Sequence, residues 1–203
     1  TLKAANTQAL GTAAAPLSLG GGTLDLATDS SITAYNTTVT ASSTILSDRA
    51  TSGAGVTHTL GTLSIGAQTL TVQAGSNVTS GTAGLTVGAT TLSATGATLS
   101  TDTGALTTLG SVTGAGNALT VTGAGNTTLS GALNTSTGGT LTKSGTGTLT
   151  LAANGDYTGA TTVSAGVVDV KSTTALGTTD GATTVASGAA VQIDGTGLTI
   201  AEP

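Results

Sequence analysis

Few residues in this chain are able to do chemistry. The sole histidine, His58, stands in "GVTHTLGTL". An imidazole titrates near neutral pH and serves as a base or metal ligand, but only beside groups that orient it. None lies nearby in the sequence, so His58 is expected at a solvated strand or loop position. Asp25 and Asp169 each occupy the middle of an apolar triplet, Leu24-Asp-Leu26 and Val168-Asp-Val170. Glycoside hydrolysis needs two placed carboxylates, and stacked strands are able to bring such acids together. Yet the chain has nine acids against four Lys and Arg and almost no aromatics to hold a substrate. A working site needs convergent groups. The sequence therefore assigns no catalytic, cofactor-binding or metal-binding residue and implies no cofactor.

Weaker motifs receive the same treatment. "GGGTLDLAT" from Gly20 partly resembles a calcium-binding nonapeptide but is not repeated, and one Asp falls short of six to eight oxygen ligands. Asn36, Asn77, Asn126 and Asn134 lie in Asn-x-Ser/Thr sequons, which Thr richness produces by chance. Tyr35 and Tyr157 are expected to pack at corners rather than to stack on ligands. Thr-x-Thr arrays on a flat face would suggest ice binding, but Thr looks spread over several faces without a strict recurring register.

The elements that would position any of these residues are short strands. Charged residues make up 6% and aromatics 1% of 203 residues, with no Cys, Met, Trp or Phe; Thr is about a quarter and Gly numbers 32. Such a chain must build a narrow core from Leu, Val, Ile, Ala and Thr. Apolar triplets such as Leu63-Ser-Ile65, Leu119-Thr-Val121 and Val191-Gln-Ile193 alternate with period two between Gly-rich breaks, the mark of strands with one buried face. Leu85, Leu92, Leu99 and Leu106 stand seven apart, but the intervening Gly, Thr and Ser are poor helix formers. A longer period of 21–22 is superposed: Leu149, Val170 and Val191; Leu141, Val163 and Val185; Leu63, Leu85 and Leu106. Three strand-and-turn units per repeat predict an all-β fold, a right-handed parallel β-helix of about nine coils with three short strands each. No linker interrupts it, so residues 1–203 read as one solenoid segment. Leu10-Gly11-Thr12 echoes Leu176-Gly177-Thr178 at an offset of 166, and the Ala-rich stretch from Ala13 to Pro16 is expected as a loop or corner.

The stretch "LTKSGTGTLTLAANGDYTGATTVSAGVVDV" resembles the autotransporter-associated β-strand repeat, also called the passenger-associated transport repeat. The resemblance rests on Lys143, Gly145, Gly147, Leu149, Leu151, Asn154, Tyr157, Gly159, Thr161 or Thr162, Val163, Ala165 and Gly166. Gly155-Asp156 and Val167-Val168 depart from the usual pattern. The resemblance implies a passenger region of a type V secreted or surface-displayed bacterial protein, hence an extracellular or cell-surface location. Absence of Cys agrees with threading through an outer-membrane pore.

Together these readings predict a non-enzymatic structural or adhesive shaft of a large surface protein; the alternative is a building block of a self-assembling filament, sheath or matrix. Net charge is −5, so nucleic acid is not an expected partner, and no apolar stretch is long enough for a transmembrane helix. Expected contacts are end-to-end or lateral, with like solenoids, other surface proteins, or host and matrix glycans. Neither end, Thr1 or "GLTIAEP" to Pro203, shows a polar cap, so the chain is expected to be part of a longer protein or to be closed by an end-to-end neighbour.

Overall fold

The computed structural model describes residues 1–13 and 15–200. Ala14, inside the expected Ala-rich corner, and the final three residues of "GLTIAEP" lie outside the described residues. Among the described residues all regular elements are strands, every pairing is parallel, and the strands stack as a β-solenoid with three faces per coil.

Face A carries the longest ladder. It starts at Leu2–Ala4 and runs through 24–26, 43–47, Thr69–Ala74, Ala97–Thr101, Leu119–Thr122, Leu141–Lys143 and Thr161–Val163 to Thr183–Val185. These nine rungs define nine coils. Face B begins at Thr57–Leu60 and ends at Ala190–Ile193; face C runs from 17–19 to Leu133–Asn134. Rungs separated by about 4.8 Å make a shaft about 40 Å long.

Inward positions stack on one another along the axis. On face B, Leu60, Val87, Leu109, Leu129, Leu151 and Val170 form one apolar column. Each buried Leu or Val contributes roughly 1.5–3 kcal/mol. One coil buries each side chain only against itself, so stability comes from its neighbours above and below.

The average period holds, but the register differs in detail from the simple spacing. Leu149 pairs with Val168 rather than Val170, Leu141 with Thr161 rather than Val163, and Leu85 with Thr107 rather than Leu106. Leu106 consequently sits at an outward position, while Thr107 is buried. Its hydroxyl joins those of Thr101 and Thr127 at 2.8 and 3.0 Å through Thr101, so the buried oxygens satisfy one another.

Two coils are longer than 22 residues. Ile45 pairs with Val72 and Val72 with Thr101, steps of 27 and 29. The additional residues leave the shaft between faces A and B, where Gly53–Ala54 pairs with Val78–Ser80 in a two-stranded ledge. Arg49 braces its base, donating from Nε to Asp29 Oδ1 at 3.2 Å and from Nη1 to the Ala54 carbonyl at 2.6 Å.

Candidate functional site

Of the titratable residues singled out by sequence, His58 and Asp25 lie within electrostatic reach of each other and of Asp48, whereas Asp169 stands several coils away. His58 is the main correction: it is fully buried, not solvated. It faces inward on face B directly beneath Leu85, and its Nε2 lies 2.9 Å from the Asp48 carbonyl oxygen. Its Nδ1 has no hydrogen-bond partner among the described residues. Burial holds its pKa below the usual imidazole value, outweighing nearby backbone groups and the Asp48 and Asp25 carboxylates. His58 thus occupies a slot that Leu fills one coil later, because alternation in Thr57-His-Thr-Leu60 puts it on the inward side.

Asp25 belongs to face A near one end, with Lys3 Nζ 3.8 Å from its Oδ2 and Leu46 beside it in the next coil. Burial pushes its pKa up, with the Asp48 charge adding to the effect and Lys3 opposing it. Asp169 lies on face B several coils away, between Thr150 and Gln192. Lys171 Nζ approaches Asp169 Oδ2 at 3.3 Å and Asp194 Oδ2 at 2.6 Å. Each of these two acids thus has a lysine beside it and a second carboxylate nearby, Asp48 for Asp25 and, across Lys171, Asp194 for Asp169, but the two acids themselves are not brought together. Among the described residues, no three His, Asp or Glu side chains gather to hold a metal.

The remaining motifs have structural work. Gly20, Gly21 and Gly22 lie within the strand Leu17–Ala27, where Ser43 Oγ accepts from the Gly21 N–H at 3.1 Å. Asn36 and Asn126 accept backbone N–H groups of the following coil, from Thr62 at 2.9 Å and Thr148 at 3.0 Å. Asn77 receives the opposite kind of clamp, its N–H donating to Asp48 Oδ1 at 2.9 Å, and Asn134 is an exposed rung of face C. Tyr35 and Tyr157 are buried, as expected for corner packing. Each fills a place where one face lacks its strand. Tyr35 Oη donates to the Gly11 carbonyl at 2.8 Å, and Tyr157 Oη lies 2.7 Å from Thr161 Oγ1.

Sequence reasoning missed Lys143. It sits in an inward column of face A, paired with Val121 below and Val163 above, and is 1% exposed. Its Nζ donates to the carbonyls of Gly145 and Ala165, the latter in the next coil at 3.4 Å. Burial lowers its pKa. The signal was present: alternation in Leu141-Thr-Lys143 places the lysine on the same side as Leu141. Glycines complete this corner. A Cβ on Gly145 or Gly147 would strike the carbonyl oxygens of Gly123 or Gly125 in the coil beneath. Lys-x-Gly-x-Gly thus describes a corner where backbones stack without side chains and one ammonium ties two coils together.

A shallow depression beside this line of corners is lined by Thr82, Gly104, Ala105, Leu106, Ala124, Gly125 and Asn126. It contains no titratable side chain.

In comparison with protein-family models, residues 141–170 fit the passenger-associated-transport-repeat. No curated protein and no solved structure matches the chain. The matched segment covers a complete coil and the face A and face B strands of the next, from the buried Lys143 through Tyr157 to Val170. The chain therefore carries a passenger-associated transport repeat within a β-solenoid, the arrangement that fits an autotransporter passenger repeat protein.

Proposed function

We propose that this chain is a non-enzymatic, adhesive shaft of a large bacterial surface or secreted protein of the autotransporter type, working outside the cell. The carrying observation is the continuous stack of coils around an apolar interior, with the matched repeat built into it. The titratable residues serve the stack: His58 and Lys143 fill inward slots, and Asp25 and Asp169 pair with lysines. Its contacts are with other surface proteins or with host and matrix glycans, made along the shaft.

The test is surface display. The chain is fused between an export signal and an outer-membrane translocator, then detected on whole cells by antibody and by resistance to added protease. Adhesion to immobilised matrix glycans is scored in parallel, with wild type and a His58→Leu, Asp25→Asn, Asp169→Asn triple variant. Surface exposure of a protease-resistant chain, with adhesion unchanged in the triple variant, is expected. Retention inside the cell, or a hydrolase or lyase activity that disappears in the triple variant, would overturn the reading.

Among the described residues, the large exposed apolar side chains are Leu2, 57% exposed in the first coil, and Val185 and Ile193, 44% and 54% exposed in the last. A further coil of the same protein or an end-to-end neighbour would cover all three; mass in solution that rises with concentration would favour the filament-forming role over an isolated shaft.

A further inference from the structure

Face A presents an ordered array of hydroxyls that linear spacing concealed. Outward residues Thr69, Thr98, Thr120, Thr142, Thr162 and Thr184 stand one above another through six consecutive coils. A second column lies two residues along each strand, where Thr71, Ser100 and Thr122 pair directly. It continues through Ser144 and Ser164, whose N–H groups donate to the carbonyls of Val121 and Lys143 beneath. A strict Thr-x-Thr register does not recur, as expected, since the second column mixes Thr with Ser and ends at Ala186. What linear spacing concealed is the unbroken threonine file of the first column. Steps of 29, 22, 22, 20 and 22 residues separate the rungs of the first column, so unequal turns hide a regular surface.

Three properties define what this surface fits. It repeats in two dimensions, about 4.8 Å between coils and about 6.6 Å between columns. Its hydroxyls are free: none in the first column makes a hydrogen bond within the described residues. Its two columns are also uncharged; Asp102, at their edge, is engaged by Gln73 Nε2 at 2.6 Å, and the Lys3–Asp25 pair of the same face lies in the coils below the array. The other faces lack this combination. Face B has a threonine column of its own, Thr59, Thr86, Thr108, Thr128 and Thr150, but it ends in Asp169 and Gln192, and the column beside it contains Gly84, Leu106 and Asn126. Face C offers a single hydroxyl column, Ser18, Thr38, Ser64, Thr91 and Thr113, with no second one beside it.

We propose that face A binds the surface of ice. A neutral, two-dimensionally periodic array of hydroxyls and methyls has no convergent pocket for a small ligand and no charge for an ionic one. It matches a ligand that is itself neutral and periodic. The oxygen lattice of ice repeats on the scale of this array, and each threonine supplies a hydroxyl to join that lattice and a methyl to order the water beside it. Parallel stacking holds these groups in register before contact, so little ordering remains to oppose binding. Aromatic platforms, the usual means of gripping crystalline sugar, are absent from this face.

The experiment grows a polycrystalline ice shell from a dilute solution of the purified chain and measures the fraction of protein incorporated. Thermal hysteresis is read on the same samples. Variants Thr120→Tyr with Thr142→Tyr obstruct the centre of face A. Thr108→Tyr with Thr128→Tyr makes the equivalent change on face B, and circular dichroism verifies folding. A gentler pair, Thr120→Val with Thr142→Val, keeps shape while removing hydroxyls. Expected are incorporation and hysteresis for wild type and the face B variant, with both lost in the face A tyrosine variant and reduced in the valine variant. Exclusion of the wild-type chain from ice, or equal loss with the face B variant, overturns the proposal. So does retention on insoluble cellulose or chitin that the face A variants abolish while ice incorporation stays unchanged. None of these outcomes bears on surface display, so this proposal and the shaft reading fail separately.

Discussion

A buried histidine in an apolar column makes stability depend on pH. The folded-state pKa of His58 is depressed by burial, whereas in the unfolded chain it titrates near 6.5. At acidic pH the unfolded chain therefore binds a proton that the folded chain resists, and stability falls as pH drops below about 6.5. Asp25 acts with the opposite sign. Its folded pKa is raised, so its ionisation costs stability once pH rises above about 3.8, the lower part of the range. His58→Leu, which copies Leu85 in the next coil, should remove the acid-side loss. Urea denaturation of both proteins between pH 5 and 8 measures this: the wild-type midpoint falls on acidification and the variant's stays nearly level. Parallel pH profiles would show that His58 is not the responsible group.

Corners explain what strands alone do not. Gly147 is buried and lies over Gly125, so Gly147→Ala forces two backbones apart; overpacking of this kind costs about 1–3 kcal/mol. Thr146→Ala, one residue away at an exposed position, should change stability by less than about 0.5 kcal/mol. Equal melting temperatures for the two variants would refute the close-stacking account. The strands were legible because Leu-Thr-Val triplets carry their own period, and the coil count followed from the average repeat. The register was not, because turns vary in length: the ledge at Gly53–Ala54 and Val78–Ser80 lengthens two coils without altering any triplet. The same cause hid the threonine columns. His58 was misplaced for a different reason: its residue type was weighed above its position in an alternating strand. The echo between Leu10-Gly11-Thr12 and Leu176-Gly177-Thr178 is a real local likeness, since Gly11 and Gly177 close the same turn, onto Gln8 and Thr174, each at 3.0 Å. It falls after face A at one end and after face B at the other, one face out of phase.

At the scale of the whole molecule, a solenoid is a stack of nearly independent layers, so a layer should be removable if register is kept. Ala97 pairs with Leu119 and Thr98 with Thr120. Excising residues 98–119 therefore joins Ala97 to Thr120 on the same face at the same depth. Val121 then lies over Leu70, Leu129 over Val87, and Leu133 over Thr90, each an inward residue meeting an inward residue. The excision also removes Thr101 and Thr107, leaving the buried Thr127 hydroxyl without its partner, a loss of about 1–3 kcal/mol. Thr127→Val in the same chain removes that penalty and restores an apolar column between Leu85 and Leu149. Excising 98–112 instead delivers face C residues onto face A and breaks all three columns. The full-coil deletion with Thr127→Val should keep the parent chain's association state and β-sheet circular dichroism and unfold cooperatively at a slightly lower temperature. The partial deletion should aggregate or remain unfolded. If the two deletions behave alike, whether both fold or both fail, the stability of this shaft does not reside in coil-on-coil stacking.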